Sequence, residues 1–147
     1  LELPAATLAR VLEGPAPGEL LASLEQVWLD ELRQLLESGR TPVLFTSRGE
    51  LMFASAQERR RFGLQLAALM ARLVAALAPQ LGLIISKGGI TTQTLLADGL
   101  AQASVELQGQ LLPGLSLVLA GDLPVVTFPG NLGDSGTLRL AWQLLNA

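Results

Sequence analysis

Leu81-Gly82-Leu83-Ile84-Ile85-Ser86-Lys87-Gly88-Gly89-Ile90-Thr91-Thr92, running on into Leu95-Leu96-Ala97-Asp98-Gly99-Leu100, is the stretch on which the fold turns. The run 81–85 reads as a buried strand, the paired glycines as a sharp turn, and the following residues as a short helix stopped at Gly99. Two residues without Cβ atoms let a ligand approach the main chain closely. The helix start behind them offers unpaired N–H groups and a positive dipole end, a setting for anions. Lys87, the one lysine among ten basic residues, sits at this turn. A phosphate-bearing ligand is therefore the first hypothesis. Beside it stands a plainer one, that the chain merely turns sharply here. Neither Walker A spacing nor a G-x-G-x-x-G fingerprint is present.

Working outward, helical and strand patterns alternate. Leu1 to Gly18 carries three prolines and two glycines and reads as a leading segment with one short helical turn. From Glu19 to Ser38, Leu20, Leu21, Leu24, Val27, Trp28, Leu32, Leu35 and Leu36 mark one face of an amphipathic helix, with Gly39 placed for a left-handed cap. Thr41 to Ser47 reads as a buried strand. Ser55-Ala56-Gln57-Glu58 matches the capping box and opens a helical pattern through Ala78, ended by Pro79. Arg59, Arg60 and Arg61 in its early turns are expected on a solvated face or at a domain contact. Past the glycine turn, Ala103, Val105 and Leu107 alternate with polar residues as in a half-buried strand. Pro113-Gly114 makes a turn, Leu115 to Ala120 and Pro124 to Phe128 read as strands, and Gly136 to Leu145 as a helix. The expected fold is an α/β layered domain with a mostly parallel or mixed central sheet flanked by helices.

Composition narrows the chemistry. The 147 residues are enough for one domain with its own core. Half of them are hydrophobic and only 16% charged, below the usual quarter or so, which suits a domain that buries a second surface, a homo-oligomeric one included. Net charge is −3, which argues against nucleic acid and anionic membranes as partners. Cysteine and histidine are both absent, so thiol chemistry and Ser–His catalysis are excluded within this chain. Phe62 to Leu83 is apolar, but Gln65, Arg72, Pro79 and Gln80 interrupt it, so it does not read as a membrane span. The cytoplasm is the default location. Beginning at Leu1 rather than Met, the sequence reads as a fragment or processed product.

A second loop, Phe128-Pro129-Gly130-Asn131-Leu132-Gly133-Asp134, also leaves an apolar strand and enters a helix. In open α/β sheets, ligands collect at loops beside the carboxyl ends of strands. Two such loops suggest two sides of one site. Together, I-S-K-G-G-I-T-T at 85–92 and F-P-G-N-L-G-D at 128–134 resemble the C-terminal nucleotide-binding domain of the four-carbon acid sugar kinases. L-x-G-Q-L-L-P-G at 107–114 and L-F-T-S-R at 44–48 support the resemblance, which covers nearly the whole chain. It implies a two-domain transferase of carbohydrate metabolism that phosphorylates threonate, erythronate or 3-oxo-tetronate with ATP and Mg²⁺. Residues 1–147 would be its ATP-holding domain, with the N-terminal sugar-acid domain and its catalytic acid absent, so this chain alone is not expected to catalyse transfer. By the same resemblance Gly88, Gly89, Ile90 and Thr91 would contact phosphates with Thr92 close by. Gly130, Asn131 and Gly133 would form the facing wall.

Several residues admit two readings. Lys87 reaches a β- or γ-phosphate, or is a solvated turn residue. Thr91 and Thr92 donate hydroxyls to phosphate, or one of them caps the helix. Asn131 takes a positive φ or touches ligand. Asp134 reaches a metal through water, or more simply caps the last helix. Trp28 and Trp142 lie on apolar helix faces and are expected in the core. Two other functions remain open: a non-catalytic assembly or regulatory module of this fold, and a domain of another enzyme with a phosphate-bearing ligand.

Overall fold

In the computed structural model, which describes residues 1–49 and 51–146, the chain divides after its longest helix into two units, Leu1–Leu77 and Ala78–Ala147. The first unit runs β1 (Glu2–Leu3), α1 (Ala5–Glu13), α2 (Pro17–Glu37), β2 (Phe45–Thr46) and α3 (Ala56–Leu77). The leading segment is thus more ordered than its prolines suggest. Pro4 ends the strand, where a missing N–H costs nothing to α1. Pro17 opens α2 for the same reason. That helix closes on a Schellman arrangement: Gly39, at φ +72°, donates to Leu36 O, and Arg40 N to Leu35 O at 3.0 Å.

At α3 the capping box forms with a shifted return arm. Glu58 N donates to Ser55 Oγ at 3.1 Å, and Glu58 Oε2 accepts from Ala54 N rather than from the serine's own amide. Inward-facing Ala67, Leu69, Ala71, Leu73 and Leu77 on α3, Trp28 and Leu32 on α2, and Leu3 and Leu8 are the buried residues of this unit. Leu8, Leu12, Leu21, Phe62, Leu66 and Leu69 converge with a gap of only about 10 Å³ between them. Across the helices, Arg72 Nε donates to Glu25 Oε2 at 3.1 Å and its Nη2 to Oε1. That bond raises the Arg72 pKa.

By length and composition the segment Ala56–Gln80 is apolar enough to cross a membrane, with mean hydropathy 1.6. Its mid-helix Arg72 is committed to Glu25, however, and a stripe of its residues packs inside the unit. The segment 41–47 departs from expectation. Only Phe45–Thr46 pair, in parallel with Glu2–Leu3, and Val43 and Phe45 stay 58% and 46% exposed. The partner strand is two residues long and stops at Pro4, so there is no wider sheet to bury them. At the carboxyl ends of β1 and β2 lies a cavity of about 390 Å³, whose lining includes Ser47, Phe53, Arg59 and Phe62.

The second unit runs β3 (Ile84–Lys87), α4 (Gly89–Thr94), β4 (Glu106–Leu112), β5 (Leu115–Ala120), β6 (Leu123–Phe128) and α5 (Thr137–Leu145). Its four strands form a mixed sheet in the order β3-β6-β5-β4. Only β3 and β6 are parallel. The other pairs are hairpins turned at Pro113-Gly114 and Gly121-Asp122. Buried Leu115, Val126, Phe128 and Ala141 form one core cluster, flanked by Leu83, Ile85, Leu111 and Leu132 among others, and Ile84, Leu95, Val118, Ala120 and Val125 are buried as well.

Two expectations are corrected here. β4 begins at Glu106, and Ala103, Val105 and Leu107 are exposed, Leu107 by 68%. An edge strand with register shifts near Gly109 and Leu111 does not keep the face its alternation advertises. Trp142, placed in the core by its helix face, is 44% exposed, because α5 turns Ala141 inward instead. Trp28 is buried as expected.

Burial, more than ion pairing, holds the first unit. Leu69→Ala should therefore cost about 2–5 kcal/mol, as buried leucine truncations do. Glu25→Gln, breaking a pair whose side chains are 24% and 50% exposed, should cost about 1 kcal/mol or less. Urea unfolding of the two variants followed by circular dichroism checks the ranking.

Candidate functional site

Parallel pairing decides where the two glycine loops go. β3 and β6 align from Ile84↔Val125 to Lys87↔Phe128, so both chains leave the sheet at the same edge. Gly88 N then donates to Phe128 O at 2.8 Å, carrying the ladder one residue past the strand. Gly88 adopts φ +105°, a conformation L side chains rarely take. A Cβ on Gly130 would lie 3.7 Å from Gly88 Cα. The two loops therefore run side by side from the first residues past their strands.

Behind this contact the chain enters α4. The first N–H bonded back is that of Thr92, to Gly88 O at 2.9 Å. The N–H groups of Gly89, Ile90 and Thr91 precede it and, among the described residues, have no acceptor. Gly89 is exposed, and a Cβ added to it would meet nothing within 4 Å. Fold packing does not demand a glycine at 89; what a side chain there would occupy is the space in front of the free amides.

The threonines divide. Thr91 is half-buried, while Thr92 is buried with its hydroxyl 2.8 Å from the buried Ser86 Oγ. Thr92 thus ties the helix to the strand beneath it. Neither threonine caps α4, because the cap position is Gly88. Ile90 is exposed by 59% at the rim.

Lys87 is exposed, and its ammonium is engaged by the facing loop. Its Nζ donates to Pro129 O and Leu132 O, each at 3.0 Å, and lies 4.1 Å from the centre of the Phe128 ring. The lysine of the first loop is bound to the second. In that loop Asn131 is exposed, and the positive φ falls on Gly133 at +90° rather than on the asparagine. A Cβ at Gly133 would sit 3.0 Å from both Phe128 and Thr137, so this glycine is required by packing. Asp134 Oδ1 accepts from Gly136 N, Thr137 N and Thr137 Oγ1 at 2.8–2.9 Å. Those bonds, the Thr137 hydroxyl foremost, hold its carboxyl below the usual aspartate range. Asp134 therefore fastens the end of the loop to the start of α5.

The residues expected at the site are thus brought together at one edge, with Thr92 turned inward and no room for a side chain at Gly133. Ser86, Phe128 and Thr137 were not singled out by the sequence, although each flanks a glycine loop. Among the described residues no three His, Cys, Asp or Glu side chains gather to hold a metal. The larger cavity, at Ser47 and Arg59, lies in the other unit. The loops are the better candidate because they present free backbone donors where two glycine loops run side by side.

A family model described as the nucleotide-binding C-terminal domain matches residues 6–138. No curated protein matches the sequence. Two solved structures are similar in fold, both of a domain of unknown function (DUF1537) from Bordetella bronchiseptica with bound citrate, each a domain-swapped dimer, in different crystal forms. One has a TM-score of 0.63 at 23% identity and covers 97% of this chain and 34% of its own. The other has a TM-score of 0.59 at 18% identity, with 99% and 32% covered. The chain spans about a third of the length of these neighbours.

Two outcomes test the site's scaffold. Thr92→Val removes the partner of a buried hydroxyl and should cost about 1–3 kcal/mol, much of which the double change Ser86→Ala/Thr92→Val should restore; thermal unfolding of the three variants decides. Because the folded carboxyl of Asp134 lies below its ordinary value of 3.8, its bonds stabilise the loop end fully above that value. They are lost as pH falls through the lower folded value. Amide shifts of Gly136 and Thr137 should titrate with a midpoint below 3.8, and not at all in Asp134→Asn.

Proposed function

The chain belongs to the family of nucleotide-binding C-terminal domains, and from that membership we propose that it is the ATP-holding domain of a kinase acting on four-carbon sugar acids. The observation that carries the reading is the bond from Gly88 N to Phe128 O, which sets the two glycine loops side by side at the shared edge of β3 and β6. It makes one mouth of two loops. The amides of Gly89, Ile90 and Thr91 would face the phosphates, with Gly130 and Asn131 across from them.

Phosphoryl transfer is dominated by positioning and charge stabilisation, so backbone donors suffice on the nucleotide side. A chain without His or Cys can supply that part. Magnesium would arrive with the nucleotide and be held through phosphate oxygens and water, since no carboxylate cluster is offered among the described residues. The acceptor hydroxyl and the base that activates it belong, on this reading, to the sugar-acid domain. The identity of the acid, among threonate, erythronate and 3-oxo-tetronate, follows from the sequence resemblance alone.

Gly89→Val is the direct test. The open space around position 89 lets the variant fold, with an unchanged melting temperature. Its side chain would nonetheless stand in front of the free amides. Calorimetric titration with ADP or ATP·Mg should show binding to the native chain and a loss of at least about tenfold in the variant, the cost of blocking one or more charge-assisted hydrogen bonds. Equal ADP affinity in the folded variant would falsify the assignment.

A further inference from the structure

Lys87 spends two donors on the carbonyls of the facing loop, and the geometry of the peptide unit gives that a consequence. In a trans peptide the C=O and the following N–H point in opposite directions, and this chain has no cis peptide among its described residues. Lys87 Nζ draws in the oxygens of Pro129 and Leu132, each at 3.0 Å. Pro129 O also accepts from Leu132 N at 3.2 Å within the loop, whereas Leu132 O is held by the lysine. With both oxygens on the lysine, the amide hydrogens of Gly130 and Gly133, in the same two peptide units, point away from it. Neither amide has an acceptor among the described residues.

We propose that Lys87 is a positioning residue whose task is to orient the peptide units of the second loop so that the amides of Gly130 and Gly133 serve as anion donors. The inference rests on the nucleotide reading of the same mouth and deepens it. The lysine does not meet the phosphate directly. Its stem and charge pack on Phe128, 4.1 Å from the ring centre, and its head is committed to carbonyls. The first loop thereby sets the hydrogen-bonding face of the second.

Because Lys87 is the one lysine in the sequence, lysine labelled with ¹³C at Cε and ¹⁵N at Nζ yields a single signal from this side chain. In the native chain, ADP and ATP should shift the amides of Gly130 and Gly133 and leave the lysine signal nearly in place. In Lys87→Met the stem on Phe128 is kept and the donors are lost. ADP should then bind about tenfold more weakly, as when charge-assisted bonds are removed. The loss should be the same at low and high salt, and the two glycine amides should no longer respond. Lys87→Arg, which can still donate to both carbonyls, should restore the response.

A lysine signal that moves strongly and further with ATP than with ADP would overturn the proposal in favour of direct phosphate contact. So would a salt-dependent loss in Lys87→Met with the glycine responses intact. Should Lys87→Met fail to fold, the native lysine signal and Lys87→Arg still decide. Absence of any ADP response at Gly89 in the native chain would instead remove the nucleotide reading on which the proposal stands.

Discussion

The parallel pairing of β3 with β6 is the constraint on which the second unit depends. Two strands distant in sequence run side by side and end at one edge, so the loops that follow must share a small space. Gly88 continues the ladder to Phe128 O while taking a positive φ, and a Cβ on Gly130 would stand 3.7 Å from its Cα. The free amides of the first loop and the committed lysine follow from this arrangement. A candidate site made of backbone rather than side chains suits an anionic ligand whose charge is spread over several oxygens.

The polar groups near the mouth divide their work. Ser86 and Thr92 satisfy one another in a buried pair, fixing α4 on the strand below. Asp134 and Thr137 close the far end of the second loop with reciprocal bonds. Lys87 spans the space between the loops. Each of these side chains holds backbone in place, and this leaves the main chain as the donor surface. Preorganised dipoles of this kind need little rearrangement when charge arrives.

Much of this was legible in the sequence because it rests on local rules. Gly39 closes α2 through the two bonds of its cap, Ser55 and Glu58 mark the start of α3, and the glycines at 88, 89 and 130 lie at the strand ends where they were expected. The errors have a common source. Ala103, Val105 and Leu107 alternate like a half-buried strand, and Trp142 lies on an apolar helix face, yet all are exposed. Periodicity tells which side of an element is apolar, but it does not say whether another element covers that side. The strand 41–47 shrank to two paired residues because β1, its partner, ends at Pro4.

What the sequence determined by itself is therefore the alternation of helix and strand, the two glycine loops and the family to which their pairing points. These depend on φ preferences, capping and spacing, all of which act within a few residues. The tertiary structure alone decided that Gly88 bonds to Phe128, that Thr92 turns inward to Ser86, and that Lys87 binds the carbonyls of a loop more than forty residues away. Those contacts follow from strand order and register. A parallel neighbour can be supplied by any distant strand, and nothing in a local window says which one it will be.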